Sequence, residues 1–254
     1  MIRSNKVDDL LFHIYENRNE MGQEAAKAAA TKIKQLLNEK ETINMIFAAA
    51  PSQNEFLANL VATPGIDWTR IRAFHMDEYV GLEKDAPQGF GNFLKERIFG
   101  KLPFNAVFYL DGNAADIEKE CQYYSELLQK YKVDIVCMGI GENAHIAFND
   151  PHVADFNDTK LVKVVELDNE CRQQQVNDGC FITFDDVPSK ALTLTIPALM
   201  NAQYAFCMVP AKTKAKAVAN TIKGDISEKV PSTILRKHPN AVLFLDKDSA
   251  SEIE

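Results

Sequence analysis

Short apolar segments alternate with longer helical segments along most of the chain, and this alternation constrains the fold more than any other feature. Runs rich in Val, Ile, Phe and Met predict buried strands, and segments with apolar residues at helical spacing predict helices. The predicted strands are 43–50, 71–77, 106–110, 133–138, 161–165, 191–196, 204–209 and 241–245. The predicted helices are 20–40, 55–62, 87–99, 114–131 and 212–223, with a further short helix within 1–19.

Strands that alternate with helices form a mostly parallel sheet with helices on both faces. We therefore predict a doubly wound α/β fold of the Rossmann-like kind. The remainder of 151–190 is expected to be mostly loop. No composition shift or linker marks a boundary, so a single domain over residues 1–254 is expected.

A Gly-x-Gly turn follows the strand predicted at 133–138, and His145 and Asp150 come directly after it. Glycines let the chain turn without the constraint of a Cβ. In open α/β sheets, ligands bind outside the carboxyl ends of the strands. The strand is therefore expected to deliver both side chains to the place where a substrate binds.

Asp77 ends the strand predicted at 71–77, which is otherwise apolar or basic. A carboxylate at a strand end is suited to general-base catalysis, worth roughly 10²–10⁴ in rate. Glu78 follows at once, but side chains alternate along a strand. We therefore expect Glu78 to point the other way and to be structural.

These two strand ends closely resemble segments of the glucosamine-6-phosphate deaminase/isomerase family. The segment from Met76 to Leu82 matches the family's Met-Asp-Glu-Tyr-Val-Gly-Leu without a break. The segment from Gly139 to Pro151 matches Gly-x-Gly-x-Asp-Gly-His-Ile-Ala-Phe-Asn-Glu-Pro with three departures. Weaker matches continue to the C-terminus, so the resemblance covers nearly the whole chain. It implies isomerisation and deamination of a hexosamine 6-phosphate, without a metal or other cofactor.

The resemblance also implies catalytic roles. Asp77 is expected to move a proton between C2 and C1 of the opened amino sugar. His145 is expected to open the ring by moving a proton at the ring oxygen. Asp150 stands where the family has Glu, and Ala144 replaces a Gly.

Asn143 is the third departure, because the family has there the Asp that orients the catalytic His. An amide can accept from the imidazole but brings no charge to an imidazolium. Two interpretations follow. The site is weakened at Asn143, or it is rebuilt so that Glu142 or Asp150 supplies the charge.

The phosphate-binding segments resemble the family less closely. A family loop with two glycines cradles phosphate at a helix start, and here Ser52, Gln53 and Asn54 occupy it without either glycine. Glu55 is expected to place a negative charge nearby. The family's phosphate-binding Lys is matched by Lys214. The family's Arg has no match, although Arg172 lies a few residues upstream of its position.

Charge and composition exclude several other classes of function. The net charge of -8 and the absence of a basic block argue against nucleic acid as a partner. No apolar run approaches the length of a membrane span. Five scattered Cys fit a reducing compartment, so a cytoplasmic location is expected. No His or Cys spacing of metal-ligand type is present.

Three functions remain open from the sequence. The first is a deaminase acting on a hexosamine 6-phosphate of the gluco or galacto type. The second is a sugar-phosphate lactonase, because 6-phosphogluconolactonases resemble this family in fold. The third is a catalytically weak sugar-phosphate binding protein. The sequence leaves a homo-oligomer and an allosteric effector open.

Overall fold

Residues 1–253 are described by a computed structural model, and they form two sheets with helices packed around them. The strands are β1 (Arg3–Val7), β2 (Leu10–Tyr15), β3 (Ile43–Phe47), β4 (Ile71–His75), β5 (Asp77–Tyr79), β6 (Ala106–Phe108), β7 (Ile135–Met138), β8 (Val162–Glu166), β9 (Lys190–Leu194), β10 (Tyr204–Val209) and β11 (Ala241–Asp246). The α-helices are α1 (Arg18–Glu39), α2 (Asn54–Ala62), α3 (Phe90–Leu94), α4 (Ile117–Lys130), α5 (Asn169–Asn177), α6 (Ile196–Met200) and α7 (Ala215–Lys223).

Within the described residues, the main sheet has the order β1-β2-β11-β10-β7-β3-β4-β6. All neighbours from β2 to β6 in this order pair in parallel, and only β1 runs antiparallel to β2. The doubly wound, mostly parallel sheet predicted from the sequence is therefore confirmed. The chain proceeds outward from β3 through β4 to β6, and from β7 in the opposite direction through β10 to β11. The strand order reverses between β3 and β7, and ligands bind at such a switch point in open α/β sheets.

Both faces of the main sheet are covered, which explains the nearly continuous apolar strands. In β3, the side chains of Met45 and Phe47 enter one core, and Ile46 enters the other. The first core contains the buried stripe of α1, including Ile33. The second contains side chains of α4 and α7, such as Tyr124. Packing from both sides fixes the strand ends that carry the site.

The strand predicted at 71–77 is divided in two. It ends in the main sheet at His75, and Asp77 begins β5 of a smaller antiparallel sheet of order β5-β9-β8. Asp77 is paired in register with Thr193 of β9. The change of sheet at Met76 turns the Asp77 backbone over the end of the main sheet.

The expectation of a helix within residues 1–19 is wrong, because residues 3–15 form a hairpin of β1 and β2. Leu10, Phe12 and Ile14 alternate into the core, as a strand requires. Leu11 and Tyr15 are also apolar and hide this alternation in the sequence. The hairpin turn uses Asp8, with a φ of 49°.

Helix α5 is a second difference, because residues 151–190 were expected to be mostly loop outside 161–165. Its sequence is polar, so it has no apolar stripe that predicts a helix. Asp168 caps it by accepting a hydrogen bond from the Cys171 N–H. The other predicted helices are present, with 87–99 divided into α3 and a turn of π-helix over Lys95–Phe99. Among the described residues, no helix is both long and apolar enough to cross a membrane.

Candidate active site

A pocket opens at the switch point of the main sheet, at the carboxyl ends of its central strands. Its walls come from the segments after β3, β4, β7 and β10, together with α5 and two aromatic rings, Phe90 and Phe148. Asp77, His145 and Lys214 all line it, as do Ser52 and Gln53. Seven of the eight residues proposed from the sequence thus lie in or beside one pocket, because Asp150 and Asn143 are both bonded directly to His145.

Asp77 is a buried carboxylate on the wall of this pocket. Burial raises its pKa well above the ordinary value, and the nearby charge of Glu78 raises it further. A carboxylate with a raised pKa both accepts and returns a proton readily near neutral pH. Glu78 itself accepts hydrogen bonds from the backbone N–H groups of Phe90 and Gly91 at the start of α3. It therefore has the structural role expected for it.

The hydrogen bonds of Asn143 fix the tautomer of His145. The Asn143 Nδ2 atom donates to Asp150 Oδ1 at 3.0 Å and to Asp168 Oδ2 at 2.9 Å. These two acceptors orient the amide so that Asn143 Oδ1 faces His145 Nδ1, 2.7 Å away. Since Oδ1 only accepts, His145 Nδ1 carries the proton. The Nε2 atom is then left as the proton acceptor of the imidazole.

Asp150 supplies the negative charge that Asn143 lacks. Its Oδ1 atom lies 3.0 Å from His145 Nδ1, and the carboxylate is fully buried. Burial alone would raise the pKa of Asp150, but the hydrogen bond and charge of His145, with bonds from Asn143 and the Asp168 N–H, lower it. The carboxylate therefore stays ionised beside the imidazole. Glu142 does not take this role, because its Oε2 accepts from Asn177 instead.

The turn after β7 is shaped around the His145 ring. A Cβ atom at Gly141 would overlap the imidazole, so only glycine leaves room for it. Ala144 and Ala147 have φ values of 68° and 48°, in the left-handed region that favours glycine. Ala144 thus adopts a conformation that favours glycine, at the position where the family has Gly. Thr193 Oγ1 accepts from the Phe148 N–H and ties the far end of the turn to β9.

Lys214 brings a cationic side chain to the wall of the same pocket. It follows β10, and its Nζ atom is buried without a hydrogen-bond partner among residues 1–253. Burial lowers the pKa of Lys214, and the charges of Asp178 and Glu142 oppose that shift. A buried ammonium without a partner is costly, so this atom is placed to receive an anion.

Two polar residues that follow β3, Ser52 and Gln53, also line the pocket. Gln53 Nε2 donates to Ser52 Oγ and to the Met208 carbonyl. The Ser52 hydroxyl hydrogen is thereby left for a ligand. Asn54 is not among the lining residues, and its side-chain oxygen accepts from Arg97 Nε.

Glu55 and Arg172 differ from their expected roles. The carboxylate of Glu55 is held by Arg18 through bonds of 2.7 and 2.9 Å, so its charge is neutralised outside the pocket. The Arg172 guanidinium donates to the carbonyls of Phe184 and Val187 and lies over the Phe184 ring. Arg172 is therefore bonded away from the pocket and does not replace the family's Arg.

Three residues of the site were missed by sequence reasoning. Asp168 orients Asn143, and Gln174 and Gln175 of α5 line the pocket. Gln174 Oε1 accepts from the Glu142 N–H, and its Nε2 donates to Asp178. The sequence signal for Asp168 is that of a helix N-cap, because Asp is a favoured residue immediately before a helix. Asp168 takes this position at the start of α5 and accepts from the Cys171 N–H.

The structure also brings together a set of potential metal ligands. Ligand atoms of His145, Asp150 and Cys171 lie within 4.8 Å of one another. Nitrogen, oxygen and sulfur ligands of this kind suit Zn²⁺. No spacing in the sequence indicated this set, because Cys171 is distant in the chain and arrives on α5. The positions of His145 and Asp150 are already explained by their hydrogen bonds with Asn143, which accepts from His145 and donates to Asp150.

Comparison with known proteins places the chain beside a family of sugar-phosphate enzymes. The family described as glucosamine-6-phosphate isomerases/6-phosphogluconolactonase matches residues 16–244. The glucosamine-6-phosphate deaminase of Streptococcus sanguinis (strain SK36) is 32% identical over 236 residues, covering 93% of this chain and 96% of the relative. That of Halothermothrix orenii is 31% identical over 242 residues, covering 94% and 98%.

Solved structures agree with these matches. A monomeric glucosamine-6-phosphate deaminase superposes with a TM-score of 0.87 at 30% identity, covering 95% of this chain and 99% of that one. A 6-phosphogluconolactonase from Thermotoga maritima superposes with a TM-score of 0.75 at 22% identity, covering 94% and 100%. The second likeness shows the shared fold alone.

Proposed function

Because the chain belongs to the glucosamine-6-phosphate isomerase/6-phosphogluconolactonase family, we propose that it converts a hexosamine 6-phosphate into a ketose 6-phosphate and ammonia. The observation that carries this proposal is the composition of one pocket. A buried carboxylate, Asp77, faces it together with the His145–Asp150 pair and the buried ammonium of Lys214. Relatives about a third identical over nearly the whole chain carry the deaminase name.

Ring opening is the first step, and we assign it to His145. Its Nε2 atom is unprotonated in the tautomer fixed by Asn143, so it takes the proton of the C1 hydroxyl. It then delivers that proton to the ring oxygen as the bond between C1 and this oxygen breaks. The imidazolium formed in between is stabilised by Asp150, 3.0 Å from Nδ1.

Isomerisation follows, and we assign it to Asp77. The carboxylate removes the proton at C2, next to the C1 aldehyde, and returns it to C1, while the aldehyde oxygen gains a proton to become a hydroxyl and the nitrogen loses one. The double bond then lies between C2 and nitrogen, and water adds at C2 as ammonia leaves. The raised pKa of Asp77, caused mainly by burial, strengthens it as a base for a carbon-bound proton.

Lys214 and Ser52 are assigned to the 6-phosphate, at the end of the pocket away from C1 and C2. Lys214→Ala is expected to raise KM by about ten- to a hundredfold, from the loss of one charge-assisted contact. The effect on kcat is expected to be smaller, because uniform binding appears in KM. An unchanged KM would remove Lys214 from the substrate site.

An assay panel tests the proposed function. Glucosamine 6-phosphate, galactosamine 6-phosphate and 6-phosphogluconolactone are each incubated with the protein, and ammonia, ketose phosphate and acid are measured. Ammonia and ketose in equal amounts support the proposal and identify the epimer. Acid from the lactone alone identifies a lactonase instead. Saturable binding without any product identifies a binding protein.

Asp77→Asn serves as the active-site control in this panel. The amide keeps the shape of the side chain but cannot remove a carbon-bound proton. Turnover is expected to fall by at least about 10²-fold, with substrate binding retained. Activity within a few-fold of the wild type would exclude Asp77 as the base.

A further inference from the structure

The anion end of the pocket contains one cation and several uncharged donors. Among the described residues that line the pocket, Lys214 is the one Lys or Arg. The hydroxyl of Ser52 and the amide of Gln175 line the same pocket, whereas Gln53 Nε2 already donates to Ser52 and to the Met208 carbonyl. Gln175 is buried on the inner face of α5, so an amide stands where a second cation would be within reach of the ligand.

The nearby guanidinium groups are all committed elsewhere. Arg18 is paired with Glu55, and Arg97 donates to Asn54 and Glu96. Arg172 is bonded to two carbonyls beyond α5. None of these three residues lines the pocket.

The main charges that act on Lys214 are, by contrast, those of carboxylates. The charges of Glu142 and Asp178 both act on its ammonium. Glu142 Oε1 is buried without a hydrogen-bond partner among the described residues. Gln174 ties both acids to this wall, because it accepts from the Glu142 N–H and donates to Asp178. The charges of Glu142 and Asp178 therefore make it unfavourable for a ligand at Lys214 to carry more than a small negative charge.

Charge decides between two tetrahedral oxyanions in such a subsite. A dianion costs roughly four times as much to desolvate as a monoanion, because the Born cost grows with the square of the charge. Its attraction to a single ammonium is only about twice as large, and so is its repulsion from Glu142 and Asp178. A phosphate monoester is mostly a dianion above pH about 6, whereas a sulfate monoester keeps a single charge.

We propose that this subsite selects a singly charged tetrahedral oxyanion, so that a hexosamine 6-sulfate is a substrate beside the 6-phosphate. The inference rests on the proposed function, since it concerns the substrate of the same site. The ester group is untouched by the reaction. The proton moves from C2 to C1, water adds at C2 and ammonia leaves, so the products are a ketose 6-sulfate and ammonia.

The ratio of kcat/KM for glucosamine 6-sulfate to that for glucosamine 6-phosphate tests this selection. Both substrates share the amino sugar, and Asp77, His145 and Lys214 act on both, so their titrations cancel in the ratio. Between pH 5.5 and 8 the ratio is expected to rise at least about tenfold, as the phosphate monoanion disappears. A flat ratio, or no ammonia from the sulfate while the phosphate reacts, overturns the inference and leaves the proposed function standing.

Gln175→Arg is the variant that addresses the missing second cation. It is expected to lower the ratio at pH 8 at least about tenfold, because a second cation favours the dianion. Gln173→Arg is the matched control, since Gln173 lies exposed on the same helix and lines an outer groove. Its ratio is expected to stay at the wild-type value. An equal change in both variants would overturn the role of Gln175.

Direct binding separates a failure of the inference from a failure of the proposed function. Inorganic sulfate and inorganic phosphate are titrated into the wild type and Lys214→Met at pH 8.5 by calorimetry. Tighter binding of sulfate, lost in Lys214→Met, supports the subsite even if neither sugar releases ammonia. Tighter binding of phosphate overturns the subsite whatever the activity.

Discussion

A single amide, Asn143, organises the polar network of the site at the residue scale. Its Nδ2 atom donates to two carboxylates, Asp150 and Asp168, and its Oδ1 atom receives the proton of His145 Nδ1. A carboxylate at this position could not donate to either acid. Of the two interpretations that the sequence left open, the geometry favours a site rebuilt around the amide, with Asp150 as the charged partner.

Asn143→Asp is therefore expected to lower activity, although it restores the family's residue. Three carboxylates would meet at positions 143, 150 and 168, and two charge-assisted bonds, each worth about 1.5–3 kcal/mol, would be lost. We expect kcat/KM to fall at least about tenfold at pH 8 and to recover in part at lower pH, where one acid is protonated. The measurement is kcat/KM of both proteins across pH.

The control for this change is Asn201→Asp, at an exposed amide that ends α6. It adds the same charge outside the network and is expected to leave kcat/KM within a few-fold. Higher activity in Asn143→Asp than in the wild type would contradict the rebuilt network and show that Asn143 only weakens the family's arrangement.

His75 connects the elements around Asp77. Its Nδ1 atom lies 2.9 Å from the Asp77 carbonyl, and its Nε2 atom accepts from the Leu110 N–H. Tyr124 OH bonds both the N–H and the carbonyl of His75. Burial lowers the pKa of His75 to about 4, so the ring is neutral and keeps both bonds. It thereby ties the end of β4 to the chain beyond β6, two residues before the proposed base.

We predict that His75→Gln lowers kcat by about ten- to a hundredfold, because a displacement of the base by about 1 Å has effects of this size. KM is expected to change little, since the phosphate end is remote. Steady-state kinetics and thermal unfolding of the same variant give the measurement.

His238→Gln is the matched control for His75. His238 is also buried, with Nε2 bonded to the Ala202 carbonyl and Nδ1 accepting from the Asn240 N–H. It lies near the starts of β10 and β11, at the opposite end of the sheet from the site. A similar loss of stability with normal kcat is expected there. Equal losses of kcat in both variants would mean that His75 only stabilises the fold.

The turn before Lys214 stores backbone strain. Ala211 has φ 85° and ψ 147°, a region that is essentially restricted to glycine. The Asp246 carboxylate holds it there by accepting from the Ala211 N–H. Such strain costs about 1–3 kcal/mol. A glycine at position 211 would relieve it, but the greater conformational freedom of glycine in the unfolded chain would cost about 0.4–1 kcal/mol.

Ala211→Gly is accordingly expected to stabilise the protein by about 1 kcal/mol. For a chain of this size, that corresponds to an increase in Tm of roughly 2–4 °C. Differential scanning calorimetry measures the change, and KM for the sugar phosphate checks that Lys214 keeps its place. A lower Tm would show that the Ala211 side chain contributes more packing than its backbone costs.

Elements with a strong apolar period were predictable from the sequence, and polar ones were not. Strands such as β3 and β10 are apolar on both faces because helices cover both sides. Helix α5 has no apolar stripe, since it packs on the pocket with Cys171, Gln174 and Gln175. The strand ends located Asp77 and His145, but the partners that α5 brings to them depend on tertiary contacts.

At the scale of the whole molecule, the site exists because the sheet reverses direction between β3 and β7. This reversal places the segments after β3, β4, β7 and β10 around one pocket. Ser52, Asp77, His145 and Lys214 are far apart in the chain and meet only in the folded sheet. Their burial makes the stability of the whole fold depend on the charges that catalysis uses.

Two buried aspartates of the site are expected to affect that stability in opposite directions. Burial raises the folded-state pKa of Asp77, so the native state binds more protons than the unfolded chain between the ordinary value and the raised one. Stability contributed by Asp77 therefore falls as the pH rises through that window. The pKa of Asp150 is lowered, because bonds from His145 and Asn143 outweigh its burial. Its contribution is present above the ordinary pKa and is lost as the pH falls.

Thermal unfolding across pH checks both signs in one protein. Asp77→Asn removes a buried charge without losing a strong bond, so its Tm is expected to exceed that of the wild type by a few degrees at pH 8, given about 2–4 °C per kcal/mol. The difference should vanish below pH about 3, where Asp77 is protonated in both the folded and the unfolded state. Asp150→Asn is expected to lower Tm at pH 8, because the His145 and Asn143 donors lose an anionic partner. If Asp77→Asn instead lowers Tm at pH 8, the fold stabilises the Asp77 carboxylate, and the raised pKa assigned to Asp77 is wrong.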